Sequence, residues 1–176
     1  AGGLGSNAAV SLARCGIGEL IIVDFDTIEK SNLNRQYFFQ DQIGQKKVLA
    51  LKKNIFRVNP DVTVNAFEEK LLKGSMHHHF SEADIIIEAL DAAETKSSFI
   101  EDILENLPNT PLIAASGVAG YGNSDRIVTR KLENLYVCYD NQAKSSADDA
   151  LLAPKVCLMA NWQANIALEL LLGDSL

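Results

Sequence analysis

The stretch AGGLGSNAAVSLARCGIGELIIVDFD, residues 1–26, limits what this chain can fold into more than any other feature. Glycines cluster at Gly2, Gly3 and Gly5. A small-residue run over residues 6–15 reads as a helix, with Ser6 or Asn7 as its cap and Gly16 as its stop. ELIIVD then reads as a short buried parallel strand. Glycine loop, helix and strand in this order form the later part of a βαβ nucleotide-binding unit. In the pattern G-x-G-x-x-G, Gly2 and Gly5 fit the second and third glycines, and the first falls ahead of Ala1. Gly2 lets a phosphate approach the backbone, Gly5 permits close helix packing, and the helix N-terminus offers unpaired N–H groups. Asp24 ends the strand, where an acid bonds ribose hydroxyls. Such a loop follows a strand. The chain is therefore expected to be one α/β domain over residues 1–176 lacking its natural N-terminal strand. That strand should be apolar and end in Gly before Ala1, unless another chain donates one.

The remaining pattern alternates strands and helices. GQKKVLALKKNIFRVNP places Val48, Leu51, Ile55 and Val58 at helical spacing, ended by Pro60. VTVNAF (62–67), ADIIIEAL (83–90) and PLIAAS (111–116) read as strands, and residues 93–106 and 154–172 as helices. DRIVTRKL (125–132) alternates, which suggests an antiparallel or edge strand. This order predicts a Rossmann-like, mostly parallel sheet flanked by helices, with an antiparallel extension toward the C-terminus. DNQAKSSADDALLA (140–153) reads as a mobile polar loop, and SNLNRQYFF (31–39) as a loop or short helix.

Composition narrows the function classes. A net charge of −7 makes nucleic acid and anionic membrane poor general partners. No apolar run reaches the length of a membrane span, and no signal peptide is visible. The three cysteines, Cys15, Cys138 and Cys157, form no C-x-x-C pair, which favours a reduced, cytoplasmic chain with buried thiols. The run His77–His79 lacks matched ligand spacing and reads as structural or surface.

The cations decide between nucleotides. Asn32 and Arg35 follow the ribose acid directly, and Lys46 and Lys47 stand at the next helix start. A dinucleotide needs few extra cations there, whereas a triphosphate needs several; arginine offers a planar fork and lysine a point charge. Asp91, just past a buried strand, can hold Mg²⁺ or cap the helix near Ala92.

GGLGSNAA, VDFDTIEKSNLNRQ, IGQKK and LDAAETK together resemble, in order, the motifs of the ubiquitin-activating superfamily, in its ThiF/MoeB-type sulfur-carrier adenylyltransferases. SGVAGYGNSDRIVTRKLENLYVC and APKVCLMANWQANIALELLLG resemble the short thiamine-pathway ThiF proteins. The resemblance implies ATP and Mg²⁺ as cofactors. Gly3 would lie at the phosphates and Asp24 at the ribose. Ser31, Asn32 and Arg35 would contact the triphosphate, with Arg35 at the phosphate under attack. Lys47 would serve as the phosphate lysine and Asp91 as the magnesium ligand. The family usually has Asn after that aspartate, and Ala92 here removes one nucleotide contact.

The implied substrate is a small ubiquitin-like sulfur carrier ending in Gly-Gly, with a sulfur donor to follow and a homodimer as the working form. The loop 140–153 is expected to order over the carrier tail, with Asp148 and Asp149 choosing a basic rim. Many relatives carry two C-x-x-C pairs for zinc, but this chain has Leu135 and Cys138 at the first pair and no counterpart of the second. No zinc is expected. Cys138, beside the loop, is the better candidate for a reactive thiol, and Cys157 the better core residue. The alternatives are a superfamily member activating a carboxylate on a modified tRNA base, an NAD-linked oxidoreductase, and an inactive scaffold that binds the carrier.

Overall fold

The computed structural model describes residues 1–140, 142 and 149–173. Among these residues four α-helices and six strands follow in the order α1 (Gly3–Arg14), β1 (Glu19–Val23), α2 (Lys47–Val58), β2 (Thr63–Phe67), β3 (Ile86–Ile87), α3 (Ala93–Asn106), β4 (Leu112–Ser116), β5 (Ile127–Leu132), β6 (Leu135–Asp140) and α4 (Ala153–Leu172). The expected α/β class is the one observed. β1 runs parallel to β2, β3 to β4, and β4 to β6, while β5 is the antiparallel extension beside β6. The strands form two sheets, β1-β2 and β3-β4-β6-β5. β3 is far shorter than the strand expected over 83–90, because only Ile86 and Ile87 pair with a neighbour.

The core follows from side-chain alternation. In β4, Ile113 and Ala115 point to one face, where Leu4, Leu12, Val156 and Met159 of α1 and α4 cover them. Leu112 points to the other face and joins Phe99 and Ile103 of α3. A third cluster packs Ala9 and Ala13 of α1 against Val48, Leu51 and Ile55 of α2 and Ile22 and Val64 of β1 and β2. Helices thus lie on both faces, and the spacing of Val48, Leu51 and Ile55 places that apolar stripe inward.

α1 begins earlier than its polar residues suggest. Ser6 and Asn7 are not caps: the cap position is Gly2, with no side-chain cap bond. Ser6 Oγ donates back to the Gly2 carbonyl at 2.6 Å and accepts the Tyr37 N–H at 2.9 Å. Asn7 Nδ2 donates to the carbonyls of Gly3 (2.6 Å) and Arg35 (2.9 Å). Both therefore sew the start of α1 to the segment carrying Arg35. In α4, Pro154 sits in the first turn, where its missing N–H is harmless.

Candidate functional site

The strand ends and helix starts meet around a cleft of about 1200 Å³. Gly2, Gly3, Gly5, Asp24, Arg35, Lys47 and Asp91 all line it. Residues 89 positions apart in the chain are thus neighbours at one site, because parallel strands bring their carboxyl ends to the same side.

The glycines do different jobs. A Cβ at Gly2 would meet nothing within 4 Å, so this residue leaves open space at the mouth of the helix. A Cβ at Gly3 would lie 3.0 Å from Val156 Cγ1 and 3.6 Å from Arg35 Cγ. A Cβ at Gly5 would lie 3.2 Å from the Ala89 Cβ, so Gly5 does allow α1 to press on the strand side. The first turn of α1 carries no acidic side chain and no side-chain cap. The first turn, Gly3 to Gly5, lines the cleft, and the first N–H groups of a helix have no partner within it.

Asp24 closes β1. Its Oδ2 accepts from the amino group of Ala1 at 2.7 Å, and its Oδ1 accepts the Asp26 N–H at 2.8 Å.

Lys47 is no solvated charge. It is 6% exposed, and its Nζ donates to Asp26 Oδ2 at 2.7 Å. Its N–H also donates to the Asp26 carbonyl at 3.0 Å, which fixes the start of α2 on the strand-end loop. Arg35 folds its guanidinium toward the Ser31 carbonyl (3.1 Å) and Asn34 Oδ1 (2.8 Å). Lys46 turns instead to Glu68 Oε1 at 2.7 Å.

Ser31 and Asn32 do not line the cleft among the described residues. Asn32 Oδ1 accepts the Glu29 N–H at 3.0 Å, and Ser31 Oγ donates to Glu29 Oε2 at 3.2 Å. Both are spent on the short helical turn Lys30–Asn32 that presents Arg35. Asp91 is exposed at the cleft, and the cap of α3 is Ala92 with no side-chain bond, so helix capping is not its role.

Two cleft residues carried no obvious sequence signal. Gln36 is 9% exposed, and its Oε1 has no hydrogen-bond partner, leaving a buried acceptor at the wall. Lys96 also lines the cleft; it pairs with buried Glu88 and donates to the Ala115 carbonyl at 2.9 Å. Lys96 does lie in the LDAAETK stretch, but spacing alone gave it no partner.

The cysteines fall in the reverse order to that expected. Cys138, in β6, is fully buried, and burial pushes its thiol up to about 11. Thiolate chemistry needs exposure and a lowered value, and Cys138 has neither. Cys157 is half-buried with its thiol raised by burial, and Cys15 is exposed. His77 Nδ1 lies 3.0 Å from Asp102 Oδ2, and His79 Nε2 lies 3.0 Å from Glu69 Oε2. Among the described residues no three His, Cys, Asp or Glu side chains gather as a metal cage. A magnesium site needs no such cage, since one carboxylate plus substrate phosphates is its ordinary ligand set, and exposed Asp91 fits that role. Asp148 and the rest of 143–148, with residue 141, lie outside the described residues. Asp149 is described, and its Oδ2 lies 3.2 Å from where a Gly120 Cβ would stand. No helix among the described residues is long and apolar enough to cross a membrane.

Comparison with known proteins agrees with this arrangement. The chain is 32% identical over 178 residues to the sulfur carrier protein ThiS adenylyltransferase of Escherichia coli, covering 98% of this chain and 70% of that protein. It is 27% identical to the molybdopterin-synthase adenylyltransferase of Salmonella typhimurium, covering 97% and 70%. In fold it is similar to the E. coli tRNA N6-threonylcarbamoyladenosine dehydratase TcdA solved with ATP (TM-score 0.85, 20% identity, 96% of this chain and 81% of that one). It is also similar to E. coli MccB solved with ATP (TM-score 0.72, 26% identity, 96% and 53%). The ThiF family model matches residues 1–176. With a glycine-opened helix, an acid-ended strand and two placed cations around one cleft, the chain belongs to the ThiF family, among ThiF/MoeB-type adenylyltransferases.

Proposed function

We propose that this protein adenylylates the C-terminal carboxylate of a small ubiquitin-like sulfur carrier ending in Gly-Gly, in the thiamine branch of the family. The observation that carries the reading is the convergence of the α1 N-terminus, Asp24, Arg35, Lys47 and Asp91 on one cleft. The thiamine assignment is supported by the identity to the ThiS adenylyltransferase, 32% over 98% of this chain, against 27% over 97% for the molybdopterin-synthase enzyme.

Asp24 would hold the ribose hydroxyls once its carboxylate accepts them. The open amides of α1 and the ammonium of Lys47 would receive the phosphates. A carboxylate is already ionised at neutral pH, so no protein base is required. The carrier's carboxylate oxygen attacks the α-phosphorus. The bond between the α-phosphorus and its bridging oxygen breaks, and pyrophosphate leaves with that electron pair. Arg35 and Lys47 offset the charge that develops, and their positions are fixed in advance by Asn7, Ser31 and Asp26. Mg²⁺, held by Asp91 when bound, would neutralise phosphate charge. The acyl adenylate is then open to a sulfur donor, giving the thiocarboxylate and AMP. The working form under this reading is a cytoplasmic homodimer.

The test is ATP–pyrophosphate exchange with purified carriers of the thiamine and molybdopterin types. Exchange that requires a thiamine-type carrier is the expected result. Exchange without any carrier preference would remove the thiamine branch. Exchange driven by tRNA and by no carrier would replace the reading with the tRNA-base alternative.

A further inference from the structure

α2 carries four cations, Lys47, Lys52, Lys53 and Arg57, and no acidic residue. α3 carries four acidic residues over a similar length, and the whole chain has a net charge of −7. Lys47 is taken by Asp26. Among the described residues the lysine ion pairs involve Lys46, Lys47, Lys96 and Lys155, and none involves Lys52, Lys53 or Arg57. A surface helix ordinarily laces such cations with acids three or four residues away. Arg57, in the last turn, suits the negative end of the helix dipole, but Lys52 and Lys53 are mid-helix. Leu49, Lys52, Lys53, Phe56 and Arg57 are all exposed, Phe56 by 65% and Leu49 by 47%. At about 100° per residue, Leu49 and Phe56 stand within about 20° of each other around the helix, with Lys52 on one side and Lys53 and Arg57 on the other. Val48, Leu51 and Ile55 meet the core from the opposite side. The outward face is thus an apolar line about 10 Å long between positive charges. None of its five residues lines the cleft.

We infer that this face of α2 docks an acidic amphipathic helix of a partner protein. Leu49 and Phe56 are seven residues apart, the spacing at which a helix repeats its own apolar stripe. Carboxylates flanking that stripe on the partner would meet Lys52 on one side and Lys53 and Arg57 on the other. The three cations have no acid of their own to release, so the pairing carries no exchange cost within this chain. A phosphate backbone rewards contiguous cations, whereas here apolar side chains divide them. The net charge of −7 also repels an extended polyanion or an anionic bilayer. A short acidic helix escapes most of that repulsion, because charges beyond about 8 Å are screened at physiological salt. Two apolar anchors make a small contact, which fits a transient partner and not a permanent subunit. The inference goes beyond the adenylylation reading and does not depend on it, since a partner on this face leaves the cleft open.

Two fluorescein-labelled helical peptides of about 14 residues, four turns each, test it on the 176-residue chain. One has a Leu stripe flanked by Glu, and the other has Lys in place of every Glu. Fluorescence anisotropy should show saturable binding of the Glu peptide alone, weakening as salt rises. Backbone amide shifts of the wild-type chain should move chiefly over residues 49–57. Lys52→Glu/Lys53→Glu should abolish binding, and Phe56→Ser should weaken it about tenfold. Both variants should keep the wild-type urea midpoint, which separates lost docking from lost folding. No saturable binding of the Glu peptide, equal binding of the Lys peptide, or shifts centred elsewhere would overturn the inference. So would tighter binding at this face by phosphatidylserine vesicles or single-stranded RNA, which would assign it to lipid or nucleic acid. Self-association of the chain through residues 49–57 would overturn it in favour of a second copy.

Discussion

Two helices of this protein start in nearly the same way. α2 opens on Lys47, paired at 2.7 Å with Asp26, and α4 carries Lys155 in its first turn, paired at 2.6 Å with Asp140. Sequence and distance do not tell the pairs apart. Water does. The Asp140 and Lys155 side chains are 3% and 6% exposed, and neither lines the cleft. The Asp26 side chain is 47% exposed, and the Lys47–Asp26 pair stands at the cleft wall. A pair sealed on both sides has nowhere to turn and acts as structure. A pair open on its acid side lets the lysine change partner for a phosphate at small cost.

The largest expected effect falls on the sealed pair. Lys155→Met leaves the Asp140 carboxylate buried without its cation and should cost about 3–5 kcal/mol of stability. The double variant Lys155→Met/Asp140→Asn should recover most of that loss in urea unfolding. A single variant within about 1 kcal/mol of wild type would break the comparison, since that is what an exposed pair is worth.

Next comes catalysis at the open pair. Lys47→Met keeps the buried stem and removes the charge. It should lower ATP–pyrophosphate exchange about a hundredfold, or about 3 kcal/mol of barrier, and Arg35→Ala should do the same. Stability should change far less than in Lys155→Met. Exchange within about threefold of wild type in both variants would dissolve the site assignment. Asp91→Asn should weaken the dependence of exchange on Mg²⁺. Elemental analysis of the purified protein should find no tightly held zinc, and one zinc per chain would refute that half of the metal assignment.

The pH dependence sharpens the comparison further. The hydrogen bond from Lys155 holds the Asp140 carboxyl below its ordinary value of 3.8, against burial. Its contribution to stability is therefore present above that value and is lost as pH falls through the lower folded value. Glu88 shifts the other way: burial raises it above 4.5 even with Lys96 alongside. Its folded state favours the proton, so its contribution is full below 4.5 and is lost as pH rises through the raised value. In urea unfolding, the wild-type advantage over Asp140→Asn should hold from about pH 7 to 4 and shrink below that. The wild-type chain should gain on Glu88→Gln over the same descent. Both differences moving in one direction would contradict the assignment. The smallest effect belongs to Asp26→Asn, which should shift stability by no more than about 1 kcal/mol, because that carboxylate is half in water.

Much of this was legible in the residues. The helical spacing of Val48, Leu51 and Ile55 reports the buried stripe of α2, and residues 93–106 are the bounds of α3. DRIVTRKL falls on β5, an edge strand paired only with β6, but its alternation does not mark a buried face, since every residue of β5 after Ile127 is exposed. Less legible were features that depend on partners far away in the chain. The run 83–90 is mostly apolar, yet only two of its residues pair, because pairing needs a neighbour and not only hydrophobicity. Ser6 and Asn7 look like caps, since both residue types favour that place; tertiary contacts with Arg35 and Tyr37 claim them instead.

The sequence by itself determined the order of elements, the glycine loop before a helix, the acid at the end of β1 and the presence of Arg35, Lys47 and Asp91. Periodicity and residue chemistry are local properties, and neighbours along the chain carry them. Only the tertiary structure decided which charges are available. Lys47 and Lys155 are both lysines near helix starts; Cys138 and Cys157 are both thiols in apolar surroundings. Whether each meets water, a partner or a cleft is fixed by segments tens of residues away. The free energy of a charge or a thiolate depends on that surrounding medium far more than on its chain neighbours.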